Sequence, residues 1–104
     1  MSKYKVVLVH AHSCYACQLQ IGEYLDADEE YNKGYLEEPR IEFGHYCVDD
    51  DDWAMADLVG IDGTPGFFIL DTEKSECVEI NNIGLLSKTE IIEWIDSVLK
   101  GEER

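Results

Sequence analysis

Apolar and polar positions along this chain predict seven secondary-structure elements. Residues 4 to 10 (YKVVLVH) form a near-continuous apolar run, the pattern of a strand buried on both faces. Cys17, Ile21, Tyr24 and Leu25 then recur at helical spacing and predict a helix with those side chains inward. Gly22 weakens that helix by roughly 1 kcal/mol relative to alanine. The acids Asp26, Asp28, Glu29 and Glu30 sit badly against a helix C-terminus and leave the exact end open, while Gly34 and Pro39 put a break within 31 to 39. From Arg40 to Val48 the pattern alternates, with Ile41, Phe43, His45 and Cys47 on one side of a second strand. Asp49 to Asp52 follow as N-cap and first-turn charges of a short helix through Val59, stopped by Gly60. A calcium loop would instead need ligands spread through a longer loop with a distal Glu.

Residues 66 to 71 (GFFILD) and 76 to 81 (ECVEIN) read as strands of a hairpin joined by Thr72-Glu73-Lys74-Ser75. Ser87 and Glu90 make a capping box, and Leu86 with Ile91 supplies the hydrophobic staple. Ile91, Ile92, Ile95, Val98 and Leu99 then form one apolar stripe. The order β-α-β-α-β-β-α predicts an α/β fold, a central four-stranded mixed sheet flanked by helices. Residues 1–104 are expected to form a single domain, because a chain of 104 residues can bury one core but not two.

Composition narrows the function. Apolar residues make up 45% and charged residues 30%, as in a soluble globular protein. There are 23 acids against 8 Lys and Arg, a formal net charge of -15. Such a surface repels phosphate backbones and anionic lipid, so neither nucleic acid nor membrane is expected as a partner, while a basic docking surface is favoured. The apolar run Val6–Val9 is too short for a membrane span or a secretory signal, and a cytoplasmic location is expected. Thiols stay reduced there, so the four cysteines do not imply structural disulfides. A monomer is expected.

The stretch His10-Ala11-His12-Ser13-Cys14-Tyr15-Ala16-Cys17 carries the chemistry. Two cysteines three apart at a helix start favour a redox pair. The first lies by unsatisfied backbone N–H groups and the positive end of the helix dipole, which favour a thiolate; the second lies one turn on. On this reading Cys14 attacks a substrate disulfide and Cys17 resolves the mixed disulfide. His12, two residues before Cys14, could hold the thiolate when protonated, and His10 ends the strand. Zinc sites use the same spacing, and His10, His12, Cys14 and Cys17 supply enough ligand types for one, with His45 and Cys47 as a further pair; a closed site would need ligands from separate segments, and no metal is expected. Cys47 reads as a small buried hydrophobe and Cys77 as nearer the surface.

A second stretch, Gly60-Ile61-Asp62-Gly63-Thr64-Pro65-Gly66, opens the third strand with a proline that cannot donate to a sheet ladder. These two motifs, with the tail NIGLLSKTEIIEWID, resemble the thioredoxin family over essentially the whole length after Lys3. The resemblance implies a thioredoxin fold, with Pro65 cis beside Cys14 and Cys17. It also implies that the Thr64 backbone pairs with an incoming peptide and that protein disulfides are the substrates; Tyr15, expected exposed at the rim, is a candidate partner contact. No cofactor beyond the Cys14–Cys17 disulfide is implied. The electron donor would be a thioredoxin-reductase-like flavoenzyme or a glutathione-linked system.

The chain also departs from that family. Tyr15-Ala16 stands between the cysteines in place of Gly-Pro, Ser13 in place of Trp, and Leu8 in place of the buried acid that accepts a proton as the second cysteine attacks. That proton would go to water or His10. The active-site strand is the first predicted element, so the first strand and helix of thioredoxins are missing, as in glutaredoxins and short thioredoxin-like proteins. The Gly-Gly and Asp with which glutaredoxins hold glutathione are not visible after Pro65. A glutathione-dependent reductase, an adaptor without redox turnover, and a metal-binding protein are the alternatives.

Overall fold

The computed structural model describes residues 3–12, 14–34, 41–51, 58–61, 63–82 and 84–102. Its elements are strand β1 (Tyr4–His10), helix α1 (Tyr15–Tyr31), strand β2 (Glu42–Cys47), helix α2 (Val48–Asp51), strands β3 (Gly66–Asp71) and β4 (Glu76–Asn81), and helix α3 (Lys88–Glu102). They form an α/β fold on one four-stranded mixed sheet, ordered β2-β1-β3-β4.

The apolar run of β1 places it at the centre. It pairs in parallel with β2, Lys5 opposite Glu42 through His10 opposite Cys47. It pairs antiparallel with β3, Tyr4 opposite Asp71 through Val9 opposite Gly66. Alternate residues of these strands feed two cores. Val6, Leu8, Phe67 and Ile69 meet Tyr24, Ala27 and Tyr31 of α1 and Leu86, Ile91 and Ile95 of the α3 region. Val7, Val9 and Phe68 face the other way, against Val48 and Ile61. Burial on both faces is what an uninterrupted apolar strand requires.

Polar contacts lock this arrangement. The Tyr24 hydroxyl lies 2.9 Å from the Val6 carbonyl and also faces that of Gly44, clasping β1 to β2. Burial pushes that phenol far above its ordinary pKa, which keeps the hydroxyl proton available as a donor. Gln20, fully buried in α1, donates to the Leu86 carbonyl (2.8 Å) and accepts from the Leu86 N–H (2.7 Å), joining α1 to the entrance of α3. Ser87 Oγ accepts from the Glu90 N–H (3.2 Å) while Glu90 Oε1 accepts from the Ser87 N–H (3.1 Å), the reciprocal capping box. In the β3–β4 hairpin, Asp71 Oδ1 accepts from the Glu73 and Lys74 N–H groups (3.0 and 3.1 Å), and Ser75 takes the left-handed φ of 55° that closes the turn.

Several expectations are corrected. Leu25 was expected inward on α1 but is 60% exposed; the buried face is Cys17, Gln20, Tyr24, Ala27 and Tyr31. Two polar-tipped side chains, Gln20 and Tyr24, are inside because each finds a backbone partner there. The end of α1 does fall at the expected break, at Tyr31, where Asn32 caps it: its N–H bonds the Asp28 carbonyl (3.0 Å), and its side-chain amide exchanges hydrogen bonds with the Ile41 backbone (3.1 and 3.3 Å). Val48 is not strand but the first residue of α2, which places Asp49 inside the helix rather than at its N-cap. The predicted extent of that helix through Val59 and the break at Pro39 lie in part outside the described residues. Val78 is passed over in the β3–β4 register, where Ile69 faces Glu79 but Leu70 faces Cys77. This irregularity lets Val78 pack on the first core and Ile80 on the second, although a regular strand would put both on one side. Among the described residues, no helix is long and apolar enough to cross a membrane.

Candidate functional site

Strand β1 delivers His10, Ala11 and His12 to the rim of the sheet, and the chain turns into α1 at Cys14. Cys14 is the N-cap residue, with φ -95° and ψ 113°. Its sulfur takes the acceptor role that Ser or Asp fills elsewhere, receiving the Cys17 N–H at 3.3 Å. Cys17, one turn on and fully buried, receives the Ala11 N–H on its sulfur at 3.5 Å. Both cysteines are free thiols.

The segment before β3 closes the site. The Thr64–Pro65 peptide bond is cis, and the Thr64 carbonyl accepts from the Cys14 thiol at 3.9 Å. The backbone there runs close to its neighbours. A Cβ on Gly66 would stand 2.9 Å from Ile61 Cγ2 and 3.3 Å from the Gly63 carbonyl oxygen, so the residue after Pro65 has room only for glycine.

The two sulfurs sit in opposed environments. The hydrogen bond from the Cys17 side chain lowers the Cys14 pKa below its ordinary value, aided by the Cys17 and Ala16 N–H groups and Thr64, against a smaller effect of burial. Burial raises the Cys17 pKa, and its hydrogen bond to Cys14 raises it further. A half-buried thiol is thus favoured as thiolate beside a fully buried one kept protonated, an asymmetry suited to thiol–disulfide exchange.

The remaining candidates disperse around this centre. Tyr15, first residue of α1, is 74% exposed at the rim. The His12 backbone N–H donates to Asp49 Oδ2 (2.6 Å), and its Nε2 lies 3.5 Å from Cys47 Sγ. His10 is buried, its Nε2 3.1 Å from His45 Nδ1. The histidines and cysteines therefore do not converge, and among the described residues no three His, Cys, Asp or Glu side chains are placed to share a metal ion. Cys77 is exposed, its thiol directed at the Glu79 carbonyl. Leu8, which stands in place of a buried acid, lies in the core. Sequence reasoning did not find Asp49, which anchors the loop before Cys14, because one acid in a run of four carries no distinguishing signal. His10, His12, His45 and Cys47, grouped by the sequence as candidate ligands, instead form two separate contacts, Cys47–His12 and His10–His45, each between residues 35 apart.

No protein-family model matches the sequence, and no curated protein matches it either. The likeness is structural. Thioredoxin-2 of the malaria parasite, described as a component of its protein secretion machinery, superposes with a TM-score of 0.73 at 18% identity, over 91% of this chain and 82% of that one. A thioredoxin f2 solved in complex with ferredoxin:thioredoxin reductase gives 0.72 at 19%, over 92% and 77%. The first thioredoxin domain of mouse protein disulfide-isomerase A4 gives 0.70 at 19%, over 92% and 63%. This chain has the thioredoxin fold, and its Cys-x-x-Cys stands at the β1–α1 junction of that fold.

Proposed function

We propose that the protein is a thiol–disulfide oxidoreductase that reduces protein disulfides by cycling between a Cys14–Cys17 dithiol and disulfide. The observation that supports this reading is the pairing of Cys14 Sγ, held low by donors from Cys17 and set against the Thr64 carbonyl, with a buried Cys17 whose thiol is held high. The Cys14 thiolate attacks one sulfur of a substrate disulfide. That S–S bond breaks, a Cys14–substrate disulfide forms, and the departing thiolate takes a proton from water. Cys17 then loses its proton and attacks Cys14 Sγ, releasing the second substrate thiol and leaving Cys14–Cys17 oxidised by two electrons. The Ala11 N–H, aimed at Cys17 Sγ, stabilises the second thiolate as it forms. With Leu8 where a buried carboxylate would stand, the Cys17 proton leaves to water. Tyr15, Thr64 and Pro65 border the nucleophile and would receive the substrate segment, the Thr64 backbone pairing with it as an added strand. The dithiol is the redox group, and a thioredoxin-reductase-like or glutathione-linked donor would restore it.

Reduction of insulin disulfides with dithiothreitol as donor tests the reading. Cys14→Ser is expected to abolish turnover, and Cys17→Ser to accumulate mixed disulfides visible by intact mass. Turnover that survives Cys14→Ser would overturn it.

A further inference from the structure

Along the seam between α1 and the start of α3 runs an open hollow of about 630 Å³. Leu86 forms its floor, with Leu19 (47% exposed) and Leu85 (50% exposed) on its flanks. Glu23 and Asp26 from α1 and Glu90 from α3 line it as well. Leu19, Gly22, Glu23 and Asp26 follow one another at three- and four-residue spacing, so they present a single face of α1 to this hollow. Its floor is fixed: Gln20 and the Leu86 backbone exchange hydrogen bonds at 2.8 and 2.7 Å beneath it.

Gly22 is the informative residue. It lies mid-helix, where glycine is costly relative to alanine. Among the described residues, nothing requires it. A Cβ there meets no atom within 4 Å, and its backbone does not take the left-handed conformation that favours glycine. What glycine does at this position is keep the hollow open between two exposed leucines.

We propose that this seam is a docking groove for a basic segment of a partner protein, one apolar side chain seated over Gly22 between Leu19 and Leu85, and Lys or Arg residues reaching Glu23, Asp26 and Glu90. Charge selects this occupant. A second copy of the chain would bring another net charge of -15 against the same carboxylates. The docking itself needs no thiol chemistry.

Fluorescence polarisation of a labelled hexapeptide tests the groove. The peptide has two leucines between pairs of Arg and Lys, and its twin has Glu at every basic position. Both are measured on Cys14→Ser protein, so that failure of the redox reading leaves the result untouched. The basic peptide is expected to bind saturably at one site. Gly22→Leu, which fills the hollow, keeps the net charge and improves helix propensity, is expected to weaken binding at least tenfold. Asp26→Lys should weaken it similarly, and the acidic twin should not bind. Equal binding to the Gly22→Leu protein would mean attraction by net charge alone and would overturn the proposal. So would the absence of saturable binding, or a dimer of the chain that Gly22→Leu dissociates.

Discussion

At the residue scale, the Cys14 and Cys17 sulfurs differ because one caps a helix and the other is buried behind it. The hydrogen bonds from Cys17 hold the Cys14 pKa below the ordinary thiol value, whereas burial holds that of Cys17 above it. Since the thiolate is the reactive form, alkylation of Cys14 should rise with pH through a lower midpoint than alkylation of Cys17. At neutral pH, iodoacetamide should label Cys14 first, as read by peptide mass; equal rates, or Cys17 first, would contradict the assigned roles. Gln20 offers a test of stability instead. Gln20→Ala strips partners from both the N–H and C=O of buried Leu86 and is expected to cost on the order of 2–4 kcal/mol, measured by urea unfolding. A loss below about 1 kcal/mol would mean that water replaces the amide. Cys14 and Cys17 were legible in the sequence because their spacing has a chemical meaning at a helix start. Gln20 and Asp49 were not, because their roles depend on partners 66 and 37 residues away.

At the scale of elements, local rules predicted what local interactions decide. The strands of β1, β3 and β4 and the start of α3 follow from apolar runs, turn chemistry and a capping box, all within a few residues. The capping box has a defined worth: Ser87→Ala should lower stability by about 1 kcal/mol, seen as a shift of the urea midpoint at unchanged slope. An unchanged midpoint would mean that the Gln20–Leu86 bonds alone position the first turn of α3. Where tertiary contact overrides pattern, the prediction slipped. The face of α1 is set by which polar atoms find carbonyls, as Tyr24 does on β1 and β2. A helical repeat of apolar residues put Leu25 inside; the fold put Gln20 there, since its amide is satisfied and Leu25 is not needed to fill the core.

For the whole molecule, the dominant feature is 23 acids on 104 residues with 8 cations to offset them. Ion pairs such as Lys88 with Glu30 (3.4 Å) and Lys3 with Asp71 (4.0 Å) use part of that small cation supply. An exposed pair such as Lys88–Glu30 contributes about 0–1 kcal/mol, and Lys3 reaches the buried Asp71 carboxylate only at 4.0 Å. Self-repulsion among the remaining carboxylates should therefore outweigh them, and screening should stabilise the fold. Raising NaCl from about 0.01 M to about 1 M shortens the screening length from roughly 30 Å to roughly 3 Å. The expected result at pH 7 is a gain of about 1 kcal/mol, or a rise in Tm of about 4 °C in a chain of this size. A fall in Tm would mean that attractive pairs carry more of the stability than repulsion removes. The same salt should act in the opposite sense on docking, since it screens the carboxylates of the α1–α3 groove from a basic ligand. Stability that rises while affinity for the basic hexapeptide falls, over one salt series, would trace both to the same surface charge. Affinity indifferent to salt would instead place the peptide's binding energy in the leucines on either side of Gly22.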